Sequence, residues 1–485
     1  MSHFATLVAL IGIVVIVASL LSGVLERRRV PIVAVFLGLG LLLGPWGLGL
    51  VDIGFASPEL QALSTLALVL VLFSDAVTFD IAQIKLRRPL LLRILGPGTL
   101  GPALLITVAA KFLLALSWPA AAILGAALAS TDPVLLRVVL RSRSLPESVR
   151  TALRMESGMN DIVLLPIVIL SVVLLGGAVH GGAVGGASRN ELVRHVLGLF
   201  LLGPLVGALI GWAGIIALGW VRDRVGVRRD YESLYALGLA FSAFAAAEAV
   251  GGSGFVAAFA AGLLVASQDV ELCDCFLEYG EATAEMLLLL TFVALGTTLI
   301  WTGLGVINGR TVLFALIALA TRTAVLYPVL GGLGLSGRDH RLIALLGPRG
   351  LSSLLLVLLA VFANVPGSQD LFAVTCLVVL LSVVVHGIAI AVLLPSDTAP
   401  QVAQVPSIAG GPAAEAVPLR ITIEEVRAAR TAGENVVVLD VRKEKSFRED
   451  PRLLRGALRL SPDDAVREAG ALQLPMDATL AIYCS

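Results

Sequence analysis

Thirteen apolar runs, near residues 4–25, 31–52, 59–81, 89–115, 118–140, 148–176, 192–221, 230–250, 252–268, 280–304, 310–334, 339–364 and 370–394, limit what this chain can become before any motif is read. Most of them reach the ~18 residues that mark a membrane-crossing helix. A water-soluble core could not absorb so much apolar sequence. The chain is 58% hydrophobic and 14% charged, where soluble domains are about a quarter charged. The expected fold is an all-α polytopic membrane protein of about 13 transmembrane helices, occupying residues 1–395.

Charge then sets orientation. Formal net charge is +0, so nothing draws the chain to nucleic acid. The basic clusters ERRR (26–29), KLRR (85–88), RSRS (141–144), RDRVGVRR (222–229) and GRDHR (337–341) fall in alternate loops. The other loops hold little beyond Arg189, Arg194 and Arg310. The positive-inside rule places the first set in the cytoplasm, with the N-terminus outside, the C-terminus inside, and the chain multi-pass in the plasma (inner) membrane. The acidic loop 267–281 dissents mildly, since acidic residues count little in that rule. Its Cys273 and Cys275 lack a second Cys/His cluster, so a metal site is not expected there. Cys376 reads as packing. The N-terminus lacks a basic n-region, so the first run reads as a retained span.

Ten ionisable residues nevertheless lie inside the runs: Asp75, Lys111, Asp132, Arg137, Glu156, Asp161, Glu248, Glu285, Arg322 and Arg349. Each costs roughly 2.5–3.5 kcal/mol at mid-helix and needs a reason. Lys111, Arg137 and Glu285 lie near span ends, where they can snorkel. Asp75 and Glu248 lie deeper and can pair or cap locally.

The other five gather in segments with unusual backbone chemistry. In ALASTDPVLLRVV (127–139), Pro133 removes a backbone donor and disfavours helix at Asp132, while Thr131 and Asp132 are natural caps. LLGPRGLSSLLL (345–356) repeats the device with Gly347, Pro348 and Gly350 around Arg349. Both read as broken helices, whose free amide and carbonyl ends need partners. Interrupted helices in two halves of a chain point to a transport site at a repeat interface. In ESGMNDIVLL (156–165), Glu156 and Asn160 share one helix face, and Ser157 and Asp161 the adjacent one. A hard monovalent cation wants oxygen ligands, which Asp161, Ser157 and a carbonyl freed at Thr131 could supply. The same carboxylate can take a proton instead. One site holding either ion but not both is the minimum an antiporter needs. Glu156 requires a buried countercharge, for which Arg349 and Arg322 are the candidates.

With these residues in view, residues 1–395 resemble bacterial and archaeal sodium/proton antiporters of the NhaP type, within the monovalent cation:proton antiporter family that includes the animal exchangers. The similarity runs through PIVAVFLGLGLLLGPWGLG (31–49), LVLFSDAVTFDIAQIK (70–85), ALASTDPVLLRVV, ESGMNDIVLL, GGSGFVAAFAAGLLVAS (251–267), FVALGTTL and GPRGLSSLLLVLLA, in that order. The resemblance implies a homodimer whose protomers have inverted repeats and two crossed broken helices. It implies that Asn160 and Asp161 are the family's Asn-Asp pair, with Asp161 binding cation or proton, and that Thr131 and Asp132 are its Thr-Asp-Pro break. Glu156 matches its structural glutamate. Asn160, in place of a second acid, implies electroneutral exchange of one cation for one proton. The transported ions would be Na⁺ and Li⁺, or alternatively K⁺, with no cofactor and no enzymatic reaction. Two departures leave selectivity open: GPRGLSS, where an Arg-Gly-Ala run is common, and ESGMND, where Ser-Leu is more usual.

After residue 395 the composition changes. Residues 396–418, rich in Ala, Pro and Gly, read as a linker. Residues 419–485 read as soluble α/β: an amphipathic helix, a buried strand VVVLDV, and a second strand in ATLAIYC. This tail resembles an incomplete rhodanese-like domain, in which Cys484 matches the nucleophile that opens the active-site loop. With one residue after it, the tail is expected to be inactive as a sulfurtransferase. A membrane-tethered sulfur-handling enzyme or sensor is the competing reading from another class, and sodium-coupled solute symport ranks below both.

Overall fold

The computed structural model describes residues 10–21, 32–78, 88–141, 145–176, 189–227, 229–268, 270–333 and 335–393. In the tail it describes 426–427, 431, 435–442, 447, 452–454, 456–460 and 479–483. The chain divides into two compact units, Met1–Pro400 and Gln401–Ser485.

The first unit is helical. Among the described residues, seven helices are long and apolar enough to cross a membrane: Pro58–Val77, Arg88–Leu113, Trp118–Leu136, Glu147–Leu174, Val193–Arg224, Gly309–Val329 and Ser368–Ile390. A further pair, Ala282–Thr297 and Leu299–Gly305, is bent by 58°. Leu10–Leu21, Ile32–Leu43, Gly254–Gln268 and Leu351–Phe362 are shorter apolar helices. Arg229–Ala249 lies between two of these segments.

Local sequence explains where the helices start, bend and touch. Asn308 closes a capping box with Thr311 at the start of Gly309–Val329. Ser117 accepts from the Ala120 amide at 3.4 Å ahead of Trp118–Ala129. The π turns Gly96–Leu100 and Gly198–Leu202 each precede a Gly-Pro pair, Gly101-Pro102 and Gly203-Pro204. A proline inside a helix cannot donate to the preceding turn, and the backbone widens to accommodate it. Gly207 faces Gly254–Gln268 so closely that an added Cβ would lie 2.1 Å from the Ala257 carbonyl oxygen. Such small-residue contact lets two helix backbones pack without bulky side chains between them.

Two expected spans are interrupted where the proline motifs fall. Residues 118–140 form Trp118–Ala129 and Pro133–Arg141, separated by Ser130, Thr131 and Asp132. Residues 339–364 form Gly337–Leu345 and Leu351–Phe362, separated by residues 346–350.

The second unit holds a three-stranded parallel sheet in the order β2-β1-β3, from β1 (Val436–Asp440), β2 (Ala457–Arg459) and β3 (Thr479–Tyr483). Val438 pairs with both Ala457 and Ala481. The two strands expected from VVVLDV and ATLAIYC are therefore neighbours. Asp440 at the end of β1 is held by Arg442 through a 2.7 Å ion pair. That guanidinium keeps the Asp440 carboxyl below the usual aspartate range. Cys484 and the linker 396–418 lie outside the described residues.

Candidate functional site

The two breaks meet. The Asp132 amide donates to the Pro348 carbonyl at 3.0 Å, tying one interruption to the other. The Asp132 carboxylate then caps two helices at once. Its Oδ1 accepts from the amides of Val134 at 2.7 Å and Leu135 at 3.1 Å, at the start of Pro133–Arg141. Its Oδ2 accepts from the Leu351 amide, at the start of Leu351–Phe362. Both N-termini carry partial positive charge, so one buried carboxylate answers two helix ends. Gly350 makes this approach feasible, because a Cβ there would lie 2.2 Å from Asp132 Oδ2.

Each remaining half-helix C-terminus is capped by an arginine. Arg349 Nη1 donates to the carbonyls of Ala129 at 2.7 Å and Ser130 at 2.9 Å. Arg322 Nη1 and Nη2 donate to the carbonyls of Ala344 at 2.8 Å and Ile343 at 2.9 Å. The same Arg322 grips Glu156 with both arms, Nε to Oε1 at 2.7 Å and Nη2 to Oε2 at 2.6 Å. Both side chains are buried. Of the two arginines considered for Glu156, Arg322 holds it. Arg349 does not: its guanidinium is turned to the carbonyl end of Trp118–Ala129, and its backbone amide donates to Ser382 Oγ at 2.7 Å.

Asp161 sits against the first break, fully buried. Its Oδ1 accepts from the Ser130 hydroxyl, and its Oδ2 has no hydrogen-bond partner. Ser352, in the first turn after the second break, stands beside the same carboxylate. Asn160 anchors the helix to the break through Nδ2, which donates to Thr131 Oγ1 at 2.7 Å and reaches the Thr131 carbonyl at 3.4 Å. Its Oδ1 is also buried without a partner, as is Ser353 Oγ. Buried polar atoms are ordinarily satisfied, so three uncommitted oxygens around one crossing invite a ligand.

The hydrogen bonds around Asp161 differ from the expected arrangement in one respect. The hydroxyl on Asp161 belongs to Ser130, not Ser157. Ser157 is buried, but its hydroxyl turns back to the Arg154 carbonyl of its own helix at 3.5 Å, the local habit of helical serines. Thr131 contacts Asn160 rather than Asp161 in the hydrogen bonds described. Ser130 stood in plain view in the Ser-Thr-Asp-Pro stretch. Only the crossing of two segments 31 positions apart brings it to the carboxylate.

Two other intramembrane charges have local contacts. Lys111 Nζ donates to the Leu116 carbonyl at 2.9 Å beside the Trp118 ring. Glu248 Oε1 accepts from the Gly254 amide at 2.8 Å. Asp75 and Glu285 are partly buried. The side chains of Arg137, Cys273 and Cys275 lie outside the described residues. Cys376 is buried, with Sγ 3.7 Å from the Leu299 carbonyl.

Comparison with known proteins places this geometry. The transmembrane family of sodium/hydrogen exchangers matches residues 12–395. The K(+)/H(+) antiporter NhaP2 of Shewanella sp. strain MR-4 is 29% identical over 385 residues, covering 76% of this chain and 63% of that protein. The K(+)/H(+) antiporter NhaP of Alkalimonas amylolytica is 26% identical over 394 residues, covering 78% and 65%. The chain thus spans just under two thirds of the length of these curated relatives. Among solved structures, the sodium proton antiporter MjNhaP1 of Methanocaldococcus jannaschii superposes with a TM-score of 0.63 at 22% identity, covering 79% of this chain and 99% of that one. The last likeness is one of fold.

Proposed function

The chain belongs to the sodium/hydrogen exchanger family, and on that premise we propose that it exchanges monovalent cations for protons across a membrane by competition of the two ions at Asp161. The observation that carries the reading is the commitment of both other carboxylates at the crossing. Glu156 is bound by Arg322 through both oxygens, and Asp132 caps two helices through both of its own. Of the three carboxylates, Asp161 is the one that keeps a buried oxygen without a hydrogen-bond partner.

A monovalent cation on Asp161 Oδ2 would draw on Ser130 Oγ, Asn160 Oδ1 and Ser352 or Ser353 as further oxygen ligands. A proton on the same carboxylate removes the charge that holds the cation. Because Asn160 is neutral, each turnover carries one positive charge in either direction, which makes the exchange electroneutral. Alternating access would tilt the crossed half-helices and their charged caps as one body.

Na⁺ and Li⁺ follow from the resemblance of the site motifs, and K⁺ from the substrate printed in the names of the two relatives above. Proteoliposomes with an imposed pH gradient separate the readings when challenged with Na⁺, Li⁺ and K⁺ in turn. Cation-dependent proton movement should appear in the wild type and vanish in Asp161→Asn. Full activity in that variant would sink the proposal. The same reading includes thirteen crossings, a homodimer, and a plasma-membrane location with the C-terminus in the cytoplasm. The tail is proposed as a rhodanese-like regulatory unit.

A further inference from the structure

Hydroxyl side chains inside apolar helices commonly bond to the carbonyl one turn back. Ser171, Thr291 and Thr375 do so, at 2.7, 2.8 and 2.8 Å. Ser64 and Ser353 do not. Both are buried, and neither Oγ has a hydrogen-bond partner among the described residues. An unpaired buried hydroxyl is costly and asks for a use. Ser353 lies at the crossing, next to Ser352. Ser64 lies on Pro58–Val77, which packs against both site helices, Glu147–Leu174 and Leu351–Phe362.

Depth puts these groups in order. A cavity of about 880 Å³ lies at one end of the same three helices, with Gln61, Val172 and Leu359 on its wall. Val172 is eleven positions after Asp161 on its helix, so the cavity stands about 16 Å from the carboxylate along that axis. Ser353 is six positions before Leu359, about 9 Å from the cavity along Leu351–Phe362. Ser64 is three positions after Gln61, about 4.5 Å deeper and on an adjoining helix face. Two unpartnered hydroxyls thus fall at intermediate depths between the cavity and Asp161. Leu60 and Leu68, one turn to either side of Ser64, share an apolar core with Leu165, Val168 and Leu356. The last three are fully buried and close the seam in this structure. Gln61 sits in a first turn and Val172 lies far from Arg150 and Arg154, so by the distribution of arginine this is the non-cytoplasmic end.

Resting on the exchange reading above, we propose that Ser64 is a transit ligand on the outer route to Asp161, passing a monovalent cation between the cavity and Ser353 when the seam opens. A neutral hydroxyl suits that duty. Its oxygen replaces part of the hydration shell the cation sheds, and it carries no charge to trap the ion short of Asp161. Such a ligand lowers a barrier rather than strengthening the resting site, so its loss should slow turnover and spare KM. A Ser64 that only packs predicts otherwise, because deleting an unsatisfied hydroxyl would leave transport untouched.

The test uses right-side-out and everted membrane vesicles containing the full chain, with Na⁺ and K⁺ as the probes. Ser64→Ala should lower Vmax about three- to tenfold, with KM within about twofold and an unfolding temperature no lower than that of the wild type. Ser171→Ala, near the cavity but bonded to its own helix, should keep its rate within about twofold. Ser64→Cys gives a readout independent of rate. A membrane-impermeant methanethiosulfonate present during turnover should modify position 64 from the cavity side only, as read by peptide mass spectrometry. Full rate in Ser64→Ala, equal slowing in Ser171→Ala, a rate loss matched by lost thermal stability, or no modification from the cavity side overturns the transit ligand. Wild-type vesicles that show no cation-coupled proton movement would overturn the exchange reading itself, so the two failures are distinct.

Discussion

Replacing Arg322 by methionine should cost the protein far more than replacing Glu156 by glutamine, although both changes break the same ion pair. Arg322 has two duties. It neutralises Glu156 through bonds of 2.7 and 2.6 Å, and it caps the carbonyls of Ile343 and Ala344. Its removal strands a buried carboxylate, which typically costs about 3–5 kcal/mol, and takes the donor from the Ile343 carbonyl at roughly 1 kcal/mol, while the Ala344 carbonyl keeps the Thr323 hydroxyl at 3.0 Å. The total for Arg322→Met is on the order of 5 kcal/mol. In Glu156→Gln the guanidinium loses its full opposing charge but keeps both carbonyls and the half-charge of the helix C-terminus, while Gln can still accept from Nε. About 1–3 kcal/mol is expected there. Thermal unfolding of the detergent-purified variants, followed by loss of the monodisperse peak on size exclusion, should rank wild type above Glu156→Gln and that above Arg322→Met. Adding Glu156→Gln to Arg322→Met should recover much of the loss by removing the stranded charge. Equal shifts for the single variants, or a double variant as unstable as the sum of both, would refute the division of duties.

Three further outcomes follow from the geometry. Ser130→Ala should weaken the apparent cation affinity about fivefold or more in flux assays, while Ser157→Ala stays within about twofold, because of these two serines it is Ser130 that bonds Asp161. Gly350→Ala drives a methyl group against Asp132 Oδ2 and should cost about 1–3 kcal/mol of thermal stability together with most of the transport rate. In the tail, Arg442 depresses the Asp440 carboxyl, so its stabilisation is complete above the unfolded value near ~3.9 and is lost as pH falls through the lower folded value. Near-ultraviolet circular dichroism or amide exchange at β1 should show that acid loss in the wild type and not in Asp440→Asn.

The parts of the site readable in sequence are those set by local rules. A proline after Ser-Thr-Asp breaks a helix wherever it stands, and the break between Trp118–Ala129 and Pro133–Arg141 falls there. Helical spacing likewise separates Glu156 from Asp161 by face, and the structure sends them to different partners, Arg322 and Ser130. What spacing could not show was which side chains the second segment brings in. Ser157 is one turn from Asp161 and looked like its ligand. A helical serine can bond to its own backbone, however, and that local bond won. The choice between Arg322 and Arg349 was hidden for a similar reason, because each arginine answers a helix end created by a break in another segment.

That pairing of arginines with carbonyl ends explains how so many charges survive at this depth. Four half-helices end at the crossing, two offering amides and two offering carbonyls. Asp132 takes the amides of both N-termini, while Arg349 and Arg322 take the carbonyls of the two C-termini. The arginines bring two positive charges and Asp132 one negative charge, so this capping set alone is positive by one. Glu156 closes the sum to zero. Its role is then electrostatic as much as structural: without it, the crossing would repel a cation arriving at Asp161. With it, the caps are neutral as a group, and under the exchange proposed above the occupancy of Asp161 by cation or proton would be the main variable charge at the site. A neutral frame around one exchangeable carboxylate favours either ion without committing to one, and the competition can be decided by the concentrations on the side to which the site is open.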